Sequence, residues 1–434
     1  MLVVLLVTLL LLILFSYKLF RTPISPSVIL AGTFIIGTFF AILGNMQWKV
    51  SFDIFAYILI FFAFVFIIIG EYFGRKLVSK TIKQTYIRDT TELRYQQFNI
   101  SCILILIIIC IACLIFYIRE QISLAYQFGY AGTLFFKNLR AGLYSGAVEN
   151  STISNVCEMI VQILFYYCTY FFIRNRVVYK VKIKKSELLL LVPMICYIIL
   201  QIFSAARSGF ISIAVYLLIV SIALKGKIST IKITKILKYL IFLLVIFFVV
   251  FLFLGTLTEK VNNENGLESI YIYAGSSIVA FSKYVENYFN GISYPNKETF
   301  VGLFNIIKSF SGGQSDVTSF SLNFLKFNNG SMTNIYTALR AYLNDYGVLG
   351  ISIIQLCTGI ILGYWSAKIG KNKKVPSCIS VSLYSYYIYR LVCCLFTPGL
   401  TSTMLTVGNI ARICFAVCLY IILVKYNFIY KKVR

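Results

Sequence analysis

The sequence predicts an all-α polytopic membrane protein with about eleven transmembrane helices and one large segment on the outer face. Three observations carry that prediction. Hydrophobic residues make up 59% of the 434 and charged residues only 13%, with mean hydropathy +0.85. The apolar residues gather into runs close to the ~20 needed to cross a bilayer. The connections between those runs alternate in charge. A soluble core cannot use so much apolar surface, whereas a helix bundle in lipid can.

The runs are 2–20, 27–45, 54–73, 100–117, 156–173, 188–203, 210–224, 239–257, 348–367, 377–396 and 409–426. The first lacks a basic leader and a small-residue cleavage site, and Lys18 and Arg21 follow it, so it reads as a retained span. Alternate connections then carry twenty-seven basic residues against four acids, with clusters at 75–94, 174–185, 225–238, 368–374 and 425–434. The opposite connections hold eleven of each sign, and Arg390 and Arg412 lie inside spans. The net charge of +25 is therefore a cytoplasmic rim plus two membrane arginines. The positive-inside rule places the N-terminus outside and the C-terminus inside. No basic segment is long enough to form a nucleic-acid-binding domain, so nucleic acid is excluded as a partner.

Three regions follow: a bundle of eight spans over 1–257, a large outer segment over 258–347, and three further spans over 348–434. The outer segment is much longer than a connection needs. It shows helical patterning at 268–289 and 300–310, broken at 262–266, 294–297 and 311–315. It is expected to fold as a subdomain packed on the bundle. The 12 cysteines sit within apolar runs and read as small buried hydrophobes, not as a disulfide framework. Histidine is absent, which removes the commonest proton shuttle and metal ligand. There is no GxxxxGK[ST], no zinc spacing and no Asp-x-Asp pair, so neither a metal nor a cofactor is indicated.

Candidate site residues lie at three places. The connection 204–209 (SAARSG) puts Arg207 beside Ser208, a candidate N-cap for the span from Phe210. Backbone donors, helix dipole and guanidinium together would form an anion site. The competing reading is an arginine reaching headgroup phosphates. Next, 333–347 taken as a helix aligns Thr333, Tyr336, Thr337, Arg340 and Asn344 in one polar stripe leading into a span. Such a stripe suits a sugar- or phosphate-lined cavity, with Asp345 off the stripe as a cap or brace at Gly347. Third, Arg390 and Arg412 are costly inside a span, at roughly 2.5–3.5 kcal/mol each on insertion scales. All four arginines map to the outer leaflet and point to an anionic, membrane-held ligand, since guanidinium pairs with phosphate in a bidentate fork.

Carboxylates for base work in the long segment are Glu259, Glu264, Glu268, Glu286, Glu298 and Asp316, and the residues alone do not choose among them. Lys283 and Glu286 stand one turn apart, available to a ligand or simply to each other.

The string TNIYTALRAYLNDYGVLG at 333–350, entering a span, resembles the pattern of Wzy-type O-antigen and capsule repeat-unit polymerases. The upstream AARSG between two spans and the long outer segment are similar to the same family, over roughly 188–367. The resemblance implies a glycosyltransferase of the bacterial inner membrane, with a GT-C-like arrangement among the possible bundles. Its substrates would be undecaprenyl-pyrophosphate-linked glycans, and a chain-length regulator and a flippase of the same pathway would be its partners beside the bilayer. Arg207, Arg340 and Asp345 would fall on catalytic positions. Asn334, Tyr336 and Thr337 would be associated motif positions that bind substrate, and the residues alone add Ser208, Arg390, Arg412, Lys283 and Glu286 as substrate-binding candidates. The alternatives are a flippase or transporter of the same lipid-linked oligosaccharide, and an O-antigen ligase; the related ligases use a histidine that this chain lacks.

Overall fold

A single apolar run of this length can satisfy its backbone in lipid within the segment itself only as a helix. The computed structural model describes residues 1–81, 98–129, 135–182, 184–204, 208–226, 266–291, 298–311, 324–371 and 375–430. Its helices are α1 (Leu2–Phe20), α2 (Pro26–Trp48), α3 (Ile54–Thr81), α4 (Ile100–Gln127), α5 (Phe135–Ser145), α6 (Thr152–Val177), α7 (Lys185–Leu188), α8 (Val192–Phe203) and α9 (Ser208–Lys225). They continue with α10 (Gly266–Phe289), α11 (Val301–Phe310), α12 (Ala338–Lys371), α13 (Cys378–Val392), α14 (Gly399–Ser402) and α15 (Val407–Tyr420). Among the described residues, 10 helical stretches are long and apolar enough to cross a membrane. The protein thus has an all-α polytopic membrane architecture. The predicted span 239–257 lies outside the described residues.

Helix starts follow local chemistry. Pro26 opens α2 after an extended Ser25. The Asn99 side chain accepts from the Ser101 N–H at the start of α4, and Ser151 accepts from Ser154 at the start of α6. Helix surfaces carry large apolar side chains outward, with Leu11 at 62% and Ile108 at 66% exposed. In water such faces would be a liability, while in lipid they are the solvated surface.

The chain divides into two compact units. Unit 1 comprises Met1–Thr85, Asn265–Asn372 and Tyr387–Ala411; unit 2 comprises Tyr86–Glu264, Lys373–Tyr386 and Arg412–Arg434. The described residues of 266–347 fall in unit 1 together with membrane-spanning helices. In particular α10 packs against α2, where a Cβ on Gly275 would meet the Ala41 and Phe40 backbone.

The tightest pairing in unit 1 joins α3 to α12. Gly70 and Gly74 face Leu356, Gly359 and Ile360, and a Cβ on Gly363 would sit 2.7 Å from Glu71 Cα. Two small-xxx-small steps thus let the backbones touch, a packing mode suited to lipid. Residue numbers rise together along the contact, so α3 and α12 run parallel, as the alternation of basic connections requires of them. Unit 2 is built around α6, most of whose length is buried. Tyr166 stacks on Tyr216 at 4.3 Å and Phe165 on Tyr197 at 5.1 Å, while Gln162 Nε2 donates to Tyr197 at 2.9 Å.

Candidate functional site

Gly347 shapes the site first. Its φ of 66° and ψ of −163° interrupt α12, a conformation that disfavours any side chain. The arm from Ala338 to Tyr346 is thereby set off from the membrane helix below it. The expected helix over 333–347 starts later than the polar stripe requires: α12 begins at Ala338, not at Thr333. Met332–Thr333 forms a strand, β2, paired antiparallel with β1 (Leu325–Lys326). Thr333 Oγ1 accepts from the Ile335 N–H at 3.2 Å and lies 2.8 Å from Ser276 Oγ of α10. A threonine that bonds the backbone two residues on competes with helix formation.

Although the stripe is not one helix, three of its members meet. Tyr336, Thr337 and Arg340 line a cavity of about 210 Å³ with Glu298, Val301, Phe396, Thr397, Pro398 and Ser402. Arg340 is only 2% exposed and forms an ion pair with Glu298, which is itself buried. The guanidinium lies over two rings, 5.2 Å from Tyr336 and 5.6 Å from Tyr284. It also stands in the first turn of α12, where the helix dipole disfavours a cation. Carboxylate, rings and any entering anion all relieve that cost.

Asp345 does not brace the turn at Gly347. Its Oδ2 accepts from the backbone N–H groups of Glu298 at 2.8 Å and Thr299 at 2.7 Å. Asn344 donates to Asp345 Oδ1 at 3.0 Å and accepts from the Tyr284 hydroxyl at 2.8 Å. The arm thus anchors the 298–299 segment and aims Glu298 at Arg340. Burial pushes the Glu298 carboxyl above the ordinary glutamate range; Arg340 opposes that shift and the Asp345 charge adds to it.

Arg390 is not among the lining residues but lies near them. Its Nη1 would lie 3.8 Å from a Cβ on Gly399, next to the lining Pro398, and its guanidinium rests 5.3 Å from the Tyr389 ring. In unit 2, Arg412 donates to the Tyr386 hydroxyl at 2.9 Å. Arg207 lies outside the described residues. Ser208 is the first residue of α9 and exposed, one position later than an N-cap. Asn334 is half-buried beside the lining residues without being one of them. Lys283 and Glu286 pair with each other at 2.7 Å on an exposed surface of α10, away from the cavity lining.

Of the six carboxylates, Glu259, Glu264 and Asp316 lie outside the described residues. Glu268 accepts from Asn329 at 2.9 Å on the surface. Only Glu298, among those described, lines the cavity. Sequence gave it no priority, because its partner is 42 residues away and the contact depends on the Asp345 anchor. No protein-family model matches the chain, and neither a curated protein nor a solved structure is similar to it.

Proposed function

We propose that the chain polymerises undecaprenyl-pyrophosphate-linked oligosaccharide repeat units by metal-independent glycosyl transfer at the outer face of the bacterial inner membrane. One observation carries the reading: a buried arginine, Arg340, faces a cavity at the head of a membrane helix, with hydroxyl groups and aromatic rings around it. Guanidinium in a dry site binds phosphate strongly. Thr337, Thr397 and Ser402 offer hydroxyls to a sugar, and Tyr336 and Phe396 offer it flat apolar faces. Arg340 stabilises the charge that builds on the departing pyrophosphate. Asp345 acts as a positioning residue through the 298–299 backbone. With so good a leaving group the reaction needs no general acid, which suits a chain without histidine.

The test is a gene deletion in the source bacterium with the surface glycan resolved on a gel. Loss of the ladder with the single repeat unit retained is expected. Loss of the single unit as well would overturn the reading in favour of a flippase or ligase.

A further inference from the structure

Glu298 raises a question that the arginine alone does not. A ligand anion entering the cavity meets Arg340 already neutralised by a carboxylate, and Glu298 would repel it. Yet the protein holds Glu298 there deliberately, through two backbone hydrogen bonds to Asp345. Among the described residues, the charged and titratable groups facing it are Arg340 and Asp345 from α12, Tyr336 from the segment after β2, and Tyr284 from α10 near the guanidinium. Among the described residues, the lining residues Val301, Phe396, Thr397, Pro398 and Ser402 bring no titratable side chain, and Arg390 lies near Gly399.

Resting on the glycosyl-transfer reading, we propose that Glu298 is the proton acceptor of the reaction and that its neutralisation hands the Arg340 charge to the leaving group. The acceptor sugar's O–H bond breaks and its proton goes to the Glu298 carboxylate. The oxygen's electron pair forms the new bond to the anomeric carbon. The bond from that carbon to the pyrophosphate oxygen breaks, and its electrons leave with undecaprenyl pyrophosphate. Glu298 then returns its proton to water. Charge stays balanced within the cavity: as Glu298 becomes neutral, the guanidinium it was paired with meets the new pyrophosphate charge. A carboxyl held above its ordinary range is well matched to that exchange.

The experiment uses the purified full chain in lipid nanodiscs, with lipid-linked repeat units extracted from the deletion strain as substrate, from pH 5 to 9. The wild type is expected to lose kcat on the acid side as Glu298 takes up its proton. Glu298→Gln should lower kcat about 100-fold or more with KM little changed. Glu298→Asp should keep part of the activity with the midpoint of the acid limb displaced. Wild-type turnover in Glu298→Gln would overturn the proposal, as would an unmoved acid limb in Glu298→Asp, which also decides the matter if Glu298→Gln does not fold. A deletion strain that keeps its ladder defeats the polymerase reading and the base with it. A ladder lost on deletion but restored by Glu298→Gln defeats the base alone.

Discussion

Among the described residues of unit 1 stand two buried carboxylate–arginine pairs, and they are built to different ends. Glu71, fully buried in α3, accepts from Ser25 Oγ at 2.7 Å, from the Ser27 hydroxyl at 2.6 Å and backbone N–H at 3.1 Å, and from Arg75 Nε at 2.7 Å. Arg75 in turn donates to Ser366 of α12 at 2.9 Å and rests 4.7 Å from the Phe20 ring. Gly363 packs directly on Glu71. This cluster staples the start of α2 to the parallel pair α3–α12. Glu298 and Arg340 share the same chemistry, but one side of their pair opens on a cavity. Enclosure by protein makes the first pair structural; the open side makes the second available to a ligand.

Mutations should separate the two. Glu71→Ala strands Arg75 and three donors at the head of α2, and should cost about 3–5 kcal/mol. Thermal unfolding in detergent should show a large drop in Tm, whereas Glu298→Gln should lower Tm far less while slowing polymerisation about 100-fold or more. Equal losses of stability would erase the distinction. Asp345→Ala leaves the Glu298 and Thr299 N–H groups unpaired, at about 1–3 kcal/mol each. It should shorten the glycan ladder through misplaced Glu298, while Asp345→Asn, which can still accept a hydrogen bond, should restore part of it.

A smaller effect concerns pH. The folded state holds the Glu298 proton more tightly than the unfolded chain does. Its contribution therefore favours folding at low pH and is lost as pH rises from the ordinary glutamate value through the raised one. Unfolding of the wild type minus that of Glu298→Gln should show this slope. The smallest effect is expected from Lys283→Ala, which breaks an exposed pair worth about 0–1 kcal/mol and should leave ladder and Tm unchanged.

Much of the bundle was legible because a lipid-crossing helix announces itself by length and apolarity. Ten of eleven predicted spans have counterparts, with α1 matching at both ends and α4 running about ten residues past its predicted end at Tyr117. Helix extension beyond the apolar run is invisible to hydropathy, since polar helical turns continue the backbone ladder. The glycine steps of α3 and α12 were missed because each is unremarkable alone and gains meaning only from the facing helix.

At the site, Arg340, Tyr336 and Thr337 were found through spacing that suggested a helix, although the helix starts later. Their convergence comes instead from a strand that turns into a helix at Ala338. Asp345 was singled out, but its partners at 298–299 were unreadable, since a side-chain carboxylate that accepts from backbone N–H groups distant in sequence leaves no pattern. Lys283 and Glu286 were attractive as charges, yet charges one turn apart on a helix satisfy each other first.

The central claim is that the Arg340 cavity holds an anionic lipid-linked ligand. The most direct measurement is binding of farnesyl pyrophosphate to the purified full chain, comparing wild type with Arg340→Ala. At least a tenfold loss of affinity in Arg340→Ala, with Lys283→Ala binding as wild type, is the predicted result. Equal affinity in wild type and Arg340→Ala would contradict the account.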